Sequence, residues 1–318
     1  LKELSQSTDI PKLQKALLDC HERIISGQTL SQALKFHPKL FSKMFISIVD
    51  AGENSGQLEL AFAQLAKHLE LDAQTKKRIK SATRYPIMVI SAILIALLVI
   101  NFMVVPAFLD MFKQFKTTLP LPTRILMATS NFLTNHWMLL IIGIIVVIVV
   151  LKYFIKTPQG RYFWDYLKLR IPIIGNIIER ILLGRFARTF TTIMRTGVPL
   201  IAGIGLVANA VGNEYVRRKI LAMREGIERG ETLTKSATES NLFSPLVLQM
   251  IKVGESSGEI DVLLEEVAEF YESEVDYDLG RLSEMIEPIL LVVMGGMVLM
   301  LALGVFLPMW NMISFVKH

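Results

Sequence analysis

Three long stretches of this chain contain no charged residue and consist mainly of apolar ones. No Asp, Glu, Lys or Arg occurs in residues 85–109, 125–151 or 288–316. Each stretch exceeds the roughly 20 apolar residues that cross a ~30 Å hydrocarbon core. Polar residues fill the first half of the middle stretch, so its apolar part begins near Trp137 and ends near Phe154. The pattern predicts three transmembrane helices, because the remaining chain is too small to bury three such helices in a soluble core.

Outside these stretches, turn and capping residues divide the chain into helices. Four glycines are expected to end helices at positive φ, where a Cβ would clash; they are Gly197, Gly212, Gly230 and Gly254. Four residues that follow them are candidate N-caps: Asn213, Thr232, Ser244 and Ser256. The region before the third span therefore predicts six helices, at 176–196, 199–211, 214–229, 233–240, 245–253 and 257 onward. The last of these is expected to run on toward the third span.

The chain also repeats itself at an offset of 202 or 203 residues. The segment Gly52-Glu53-Asn54-Ser55-Gly56 matches Gly254-Glu255-Ser256-Ser257-Gly258. Prolines match as well, with Pro86 opposite Pro288 and Pro106 opposite Pro308. The sequence therefore predicts two copies of one helical module, each followed by a span. The first copy matches only the last four helices of the second, so we expect about two further helices before Leu1.

Basic residues beside the spans predict the orientation of the chain, because cytoplasmic flanks are enriched in Lys and Arg. They precede the first span at Lys76, Lys77, Arg78, Lys80 and Arg84, and follow the second at Lys152, Lys156, Arg161, Lys168 and Arg170. The amino terminus and the long middle region are therefore expected in the cytoplasm. The loop between the first two spans and the carboxyl tail are expected outside. Pro86 and Pro288 are expected at the starts of membrane helices, where a missing N–H has no cost.

Composition and motifs argue against enzymatic chemistry. The 318 residues carry a net charge of +5, only 20% are charged and 52% are hydrophobic, and Cys20 is the single cysteine. A phosphate-binding loop, a nucleophile elbow and the His-Glu-x-x-His zinc motif are all missing from the sequence. We therefore expect a protein that is not an enzyme, with no catalytic, cofactor-binding or metal site. A small-solute permease is the alternative, although the predicted spans lack the ionisable residues that transport sites usually need.

Two charged features and the repeated turns are candidates for structural or interaction roles. The helix that begins near residue 257 is acidic, and its glutamates form either a solvated face or a docking face for a basic partner; the docking candidates are Glu265, Glu266, Glu269 and Glu272. Arg185 and Arg188 are interpreted as solvated or membrane-proximal charge. Glu53 and Glu255, in the repeated turns, either cap a neighbouring helix or contact a partner. The candidate set is completed by Gly52, Gly56, Gly254, Gly258, Pro86 and Pro288.

The duplicated module, its two Gly-Glu-x-Ser-Gly turns and the prolines that start the spans resemble the type II secretion system F protein family. The segment Arg195-Thr196-Gly197-Val198-Pro199-Leu200 also resembles that family's first helix boundary. The resemblance covers essentially the whole chain. It implies an all-α membrane protein with two homologous cytoplasmic modules of the six-helix type, the first truncated, and three transmembrane helices. The implied segments are 1–85 (first module), 86–109 (first span), 110–136 (periplasmic loop), 137–155 (second span), 156–287 (second module), 288–310 (third span) and 311–318 (periplasmic tail).

Function and partners follow only from this resemblance. It implies a multi-pass protein of the bacterial inner membrane that serves as an assembly platform for type IV pilus biogenesis or type II protein secretion, with a pilus platform favoured. The implied partners are a cytoplasmic hexameric assembly ATPase, pilin or pseudopilin subunits, other inner-membrane components of the machine, further copies of the chain and the lipid bilayer. A nucleic acid is not expected among them.

Overall fold

A computed structural model describes residues 1–105 and 121–316, and all regular secondary structure in those ranges is helical. The chain forms two compact units: unit 1 contains residues 1–77 and 161–278, and unit 2 contains 78–160 and 279–318. The helices are α1 (Lys2–Ser7), α2 (Pro11–Ile25), α3 (Leu30–Leu34), α4 (Lys43–Asn54), α5 (Leu58–Val99), α6 (Leu121–Lys156), α7 (Pro158–Arg170), α8 (Ile174–Arg195), α9 (Leu200–Ala210), α10 (Glu214–Glu228), α11 (Leu233–Ser240), α12 (Pro245–Ser257) and α13 (Ile260–Val316). A short π-helical turn, Ile100–Val104, follows α5.

The internal repeat appears in the helix boundaries of unit 1. Helix α10 begins and ends 203 residues after α2, and α13 begins 202 residues after α5. The N-caps repeat too: Thr29 and Thr232 each accept a backbone N–H three residues on, and so do Ser42 and Ser244. The predicted caps at Asn213, Thr232 and Ser244 and the positive φ of Gly197, Gly212 and Gly230 are confirmed. The two-module fold class is therefore confirmed.

Both copies of the module contribute to one hydrophobic core in unit 1. The core contains Ile48 and Leu65 from the first copy and Phe190, Ile220 and Leu264 from the second, all almost completely buried. The amphipathic pattern of α2, α4 and α10 explains this arrangement, because each helix turns one apolar stripe inward. Neither copy closes its core alone, so each stabilises the other.

Unit 2 contains the apolar helices. The helical ranges Leu58–Met103, Thr134–Lys156 and Ile260–Met300 are long and apolar enough to cross a membrane. Side chains such as Leu139 and Val292 are largely exposed on the protein, at 64% and 75%. Among the described residues, the hydroxyl of Ser130 in α6 donates to the carbonyl of Asn101 in the π-helical turn at 2.8 Å. The remaining exposed apolar surface is the kind that lipid covers.

The prolines differ from the sequence-based expectation. Pro86 lies inside α5 and Pro288 inside α13, so neither residue starts a helix. Each helix is long, and a proline inside it removes one backbone hydrogen bond. The hydrogen-bonded turns before and after the proline hold the helix together. Pro308 also lies within α13, whereas Pro106 lies outside the described residues.

The segment predicted as an outer loop, 110–136, is partly helical. Helix α6 begins at Leu121 and runs to Lys156, with one non-helical residue, His136, at φ −120°. The polar residues before Trp137 therefore form a helical segment that kinks just before the apolar part. Such a kink lets a polar segment and an apolar one take different directions within one helix. The first part of the expected loop lies outside the described residues.

Candidate functional site

The glutamates of the two repeated turns each bind the amino-terminal end of the preceding helix. The carboxylate of Glu53, near the end of α4, accepts hydrogen bonds from the N–H groups of Leu30 (2.7 Å) and Ser31 (3.1 Å) at the start of α3. The first N–H groups of a helix have no partner within it, and its amino end carries partial positive charge. Glu53 therefore caps a neighbouring helix of the same copy.

Glu255 repeats this arrangement in the second copy. Its carboxylate accepts from the N–H groups of Leu233 (2.6 Å) and Thr234 (2.9 Å) at the start of α11. The hydroxyl of Thr234 adds a third bond at 2.5 Å. The cap of the second copy is therefore the more extensive of the two.

Both carboxyl groups have lowered pKa values for the same reason. Burial raises the pKa of Glu53, but hydrogen bonds from Ser31 and Leu30 favour the ionised form and bring the pKa below its usual value. Burial likewise raises the pKa of Glu255, and the bonds from Thr234 and Leu233 outweigh it. A hydrogen bond donated to a carboxylate stabilises the charged form. Each cap is therefore ionised at neutral pH.

The two glycines of each turn have different roles. Gly56 and Gly258 adopt positive φ, at 70° and 78°, and allow the sharp reversal into α5 and α13. Gly52 and Gly254 lie earlier, inside α4 and α12, where the next helix passes close by. A Cβ on Gly52 would lie 2.6 Å from the Cβ of Ala61, and one on Gly254 would lie 3.0 Å from the Cα of Ile260. Both earlier glycines are therefore needed for close helix contact.

The prediction that Gly254 ends a helix at positive φ is wrong. Helix α12 continues to Ser257, and Gly258 is the left-handed residue that ends it. Ser256 is consequently not an N-cap; its hydroxyl donates to the carbonyl of Lys252. Two glycines four residues apart were both plausible helix ends, and the local sequence could not show which of them faces a neighbouring helix.

A network of ion pairs connects helices of the two copies within unit 1. The guanidinium of Arg188, on α8, binds both oxygens of Glu272 at 2.9 and 2.8 Å and one oxygen of Glu265 at 3.2 Å. Arg195 also binds Glu265, and Lys67 of α5 approaches the same carboxylate at 3.0 Å. Because Lys67 belongs to the first copy and the others to the second, Glu265 connects the two.

The side chain of Arg188 is only 8% exposed, so its interpretation as solvated or membrane-proximal charge is wrong. Burial lowers the pKa of Arg188, but the carboxylates of Glu272, Glu265 and Glu269 raise it by more. The net pKa lies above its usual value, so the group remains charged. A bidentate guanidinium–carboxylate pair is the strongest such arrangement. One sequence signal pointed to this burial: Arg188 lies between Phe186 and Phe190 on a helix with an apolar stripe.

The same interface contains a largely buried histidine. His68, on α5, has its Nδ1 atom buried without a hydrogen-bond partner. Burial lowers the pKa of His68, with Arg185 and Arg188 acting in the same direction and Asp72 and Glu272 opposing them. Asp72 is held by Arg185 at 3.3 Å, which forms another link between the copies. Ion pairs therefore connect α5 to α8 through Asp72 and Arg185 and to α13 through Lys67 and Glu265, beside a neutral imidazole.

The four glutamates proposed as one docking face divide into two pairs. Glu265 and Glu272 turn inward to the arginines, whereas Glu266 and Glu269 are exposed. Neither Glu266 nor Glu269 forms a hydrogen bond or ion pair among the described residues. Glu265 and Glu272 are seven residues apart and share one side of the helix. Their contacts with Arg188, and not helical spacing alone, distinguish them from Glu269, which is four residues from Glu265. In the ranges 1–105 and 121–316, no three His, Cys, Asp or Glu side chains form a group that could hold a metal ion.

The fold defines a helical protein with candidate membrane spans, built from a duplicated module that is closed by carboxylate caps. Comparison with known proteins gives this class a family. The sequence pattern of the family described as type II secretion system (T2SS), protein F matches residues 1–106 and 186–308. The chain belongs to this family, and the resemblance seen in the sequence is confirmed.

Individual relatives match over nearly the whole chain. The type IV pilus assembly protein PilC of Myxococcus xanthus is 33% identical over 97% of this chain and 74% of its own length. PilC of Thermus thermophilus is 32% identical over 98% of this chain and 77% of its own. Type II secretion system protein F of Vibrio cholerae is 29% identical over 98% and 77%, respectively. The chain is thus similar to proteins of both pilus and secretion machines.

Proposed function

We propose that this protein is a non-enzymatic assembly platform of the bacterial inner membrane that serves a type IV pilus or type II secretion machine. The proposal rests on one observation. In unit 1, both copies of the module share one hydrophobic core and are joined by ion pairs around Arg188 and Glu265. A block tied together in this way can transmit force without local unfolding. The family match and the three long apolar helices support the same assignment.

In this proposal, a separate cytoplasmic ATPase supplies the work, and the platform passes it to pilin or pseudopilin subunits. Helices α5 and α13 each contain residues of unit 1 and of an apolar candidate span, so each is a continuous element between the two kinds of segment. A helix resists axial compression because every turn is bonded to the next. We propose these two helices as the elements that carry movement to the membrane.

The exposed side of α13 is the proposed docking face for the ATPase. It presents Glu266 and Glu269 together with Phe270, which is 43% exposed. A mixed apolar and acidic surface suits a partner with apolar and basic residues, since charge complementarity steers association and apolar contact adds affinity. This face is narrower than the four-glutamate face predicted from the sequence, because Glu265 and Glu272 are engaged within unit 1.

The test is charge reversal in the bacterium that encodes the protein. The Glu266→Lys/Glu269→Lys variant should insert into the membrane and retain its melting temperature, yet lose piliation or secretion and lose ATPase co-purification. The control is Glu22→Lys/Glu59→Lys, which reverses two exposed carboxylates of the first copy and should retain both activities. Full activity of the first variant would remove α13 as the docking face. ATP hydrolysis by the purified protein without a partner would overturn the platform assignment.

The proposed orientation has the amino terminus in the cytoplasm and the carboxyl terminus in the periplasm. It rests on the basic flanks of the first two spans. In a Cys20→Ala background, cysteines at Gln74 and Asn209 should react with an impermeant maleimide only after the inner membrane is opened. A cysteine at Lys317 should react as soon as the outer membrane is permeable. Labelling of the Asn209 position in cells with an intact inner membrane would contradict this orientation.

A further inference from the structure

Helix α7 begins almost immediately after a candidate membrane span. One residue separates the end of the apolar part of α6, Thr134–Lys156, from Pro158 at the start of α7. That single residue, Thr157, starts α7 by accepting the N–H of Gly160 on its hydroxyl at 3.1 Å. The thirteen residues of α7 extend for only about 20 Å at 1.5 Å per residue. The start of α7 must therefore lie close to the surface of the bilayer that the span crosses.

One side of α7 is fixed to other helices of unit 1. The carboxylate of Asp165 accepts the N–H of Glu214 at 2.8 Å, and the amide of Asn213 donates to the carbonyl of Asp165 at 3.2 Å. The rings of Tyr162 and Tyr166 lie 5.6 and 5.1 Å from that of Tyr215. These contacts set the rotation of α7 about its axis and so determine which side chains remain on its other side.

The opposite side is apolar and exposed. Phe163 is 55% exposed, Leu167 42%, Ile171 41% and Ile174 43%. Phe163 and Leu167, four residues apart, share one face of α7. Ile171, in the turn after α7, and Ile174, the first residue of α8, extend the row along the sequence. A continuous row of large apolar side chains on a protein surface marks a contact with a partner or a membrane. The row is not covered by any described part of this chain.

Positive charge surrounds this row. Arg161 is 57% exposed with its Nε atom 3.9 Å from Asp165, and Lys168 is 39% exposed while it pairs with the same carboxylate. Arg170 is exposed, with its guanidinium 4.9 Å from the centre of the Tyr166 ring. The only acidic residue between 157 and 178 is Asp165, whose side chain is just 6% exposed. The surface thus combines apolar side chains with cations, as do helices that lie in the headgroup region of anionic membranes.

We propose that the row formed by Phe163, Leu167, Ile171 and Ile174 lies in the headgroup region of the bilayer, with Arg161 and Arg170 binding anionic lipid phosphates. The occupant is a lipid surface, because the chain enters α7 directly from a candidate span. This contact anchors unit 1 at a second place besides the spans. The inference concerns lipid contact alone and holds whichever machine the protein serves.

The experiment uses the full chain with Cys20→Ala and Leu167→Cys, labelled at residue 167 with the environment-sensitive fluorophore NBD. It is reconstituted in vesicles of phosphatidylcholine with phosphatidylglycerol. Lipids that carry a shallow nitroxide should quench this label about two-fold, while aqueous iodide should quench it weakly, as for an interfacial helix. The matched control is the label at Val253→Cys, an apolar residue of α12 that is 50% exposed, which iodide should quench and the nitroxide lipid should not.

A second arm tests the charge. Adding Arg161→Gln/Arg170→Gln to the labelled chain should reduce lipid quenching to the level seen in phosphatidylcholine alone, whereas Lys12→Gln/Lys15→Gln should change nothing. An unchanged melting temperature shows that the variants are folded. Protection of residue 167 from both quenchers would mean that protein covers the row and would overturn the proposal. Equal lipid quenching at 167 and 253, or quenching that ignores phosphatidylglycerol, would also overturn it.

Discussion

In both copies of the module, a glutamate near the end of one helix caps the helix before it, and a glycine at positive φ then leads into a long helix. The copies differ in that long helix. Lys67 of α5 stands 202 residues before Glu269 of α13, so a cation in one copy corresponds to an anion in the other. Lys67 binds Glu265 of the second copy, and Asp72 binds Arg185.

This difference shows how a duplicated module can form one unit instead of two. The turn is preserved where each copy needs it for its own helices. The helix that follows carries Lys67 in the first copy where the second has Glu269, and Lys67 meets Glu265 of the second copy. Identical copies would bring like charges together, which is destabilising. Complementary side chains let the two copies share a core and an ion-pair network.

The largest expected effect comes from removing the central cation of that network. Arg188→Met removes the buried cation that Glu265 and Glu272 share, and should cost about 3 kcal/mol of unfolding free energy. The measurement is denaturant unfolding of the detergent-solubilised chain. Arg229→Met, which removes an exposed arginine, is the control and should have little effect. Equal losses in the two variants would show that Arg188 does not join the copies.

The glycines of the two turns should respond differently to a methyl group. Gly254→Ala should cost about 2 kcal/mol because the new Cβ meets backbone that cannot move away. A Cβ at Gly52 meets the side chain of Ala61 most closely, at 2.6 Å, and the backbone oxygen of Gln57 at 3.2 Å, so Ala61→Gly should recover part of the loss of Gly52→Ala in a double-mutant cycle. Strict additivity of Gly52→Ala and Ala61→Gly would contradict the contact inferred between them.

The caps should be unequal as well. Glu255→Gln should cost about 1.5–2 kcal/mol and Glu53→Gln about 1 kcal/mol, since the Thr234 hydroxyl bonds the Glu255 carboxylate at 2.5 Å and bonds to charged groups are the stronger ones. Thermal unfolding at neutral pH measures both losses, with Glu59→Gln as an exposed control. A larger loss for Glu53→Gln would reverse the ranking.

The caps also predict the pH dependence of stability. Their pKa values are lower in the folded than in the unfolded chain, so the unfolded chain binds more protons in the acid range. Their contribution is present above the unfolded glutamate pKa of about 4.3 and is lost as pH falls through the folded values. Melting temperatures measured from pH 7 to pH 3 should therefore fall less steeply for Glu53→Gln/Glu255→Gln than for the unaltered chain.

The smallest expected effect is at the exposed end of the network. Lys67→Ala should cost about 0.5 kcal/mol, because its side chain is 53% exposed and surface pairs contribute little. The loss should shrink further at high salt, whereas that of Arg188→Met should hardly change. A loss at Lys67 as large as that at Arg188 would mean that the copies are joined chiefly at the surface.

Most of the secondary structure could be predicted because its signals are local. The caps Asn213, Thr232 and Ser244 act within three residues, and a span is recognised by its length and lack of charge. Two of the predictions that failed were decided by the packing of a neighbouring helix. The need for glycine at position 254 comes from the close approach of Ile260 across a turn. The burial of Arg188 depends on carboxylates 77 and 84 residues away. The approach of Ile260 leaves no mark in the surrounding sequence, and for Arg188 the neighbouring Phe186 and Phe190 indicate burial without identifying its partners.

The sequence by itself determined the helical class, the register of the repeat and the candidate spans. The length of an apolar stretch and the capping of a helix depend on neighbouring residues, and the repeat is found by comparing the sequence with itself at a fixed offset. From the sequence alone, Glu265, Glu266, Glu269 and Glu272 of α13 were predicted as a single docking face. Only the tertiary structure decided which side faces inward, that both copies share one core, and that Glu53 and Glu255 cap helices. These depend on which surfaces meet, and packing decides that through burial and charge summed over the whole unit.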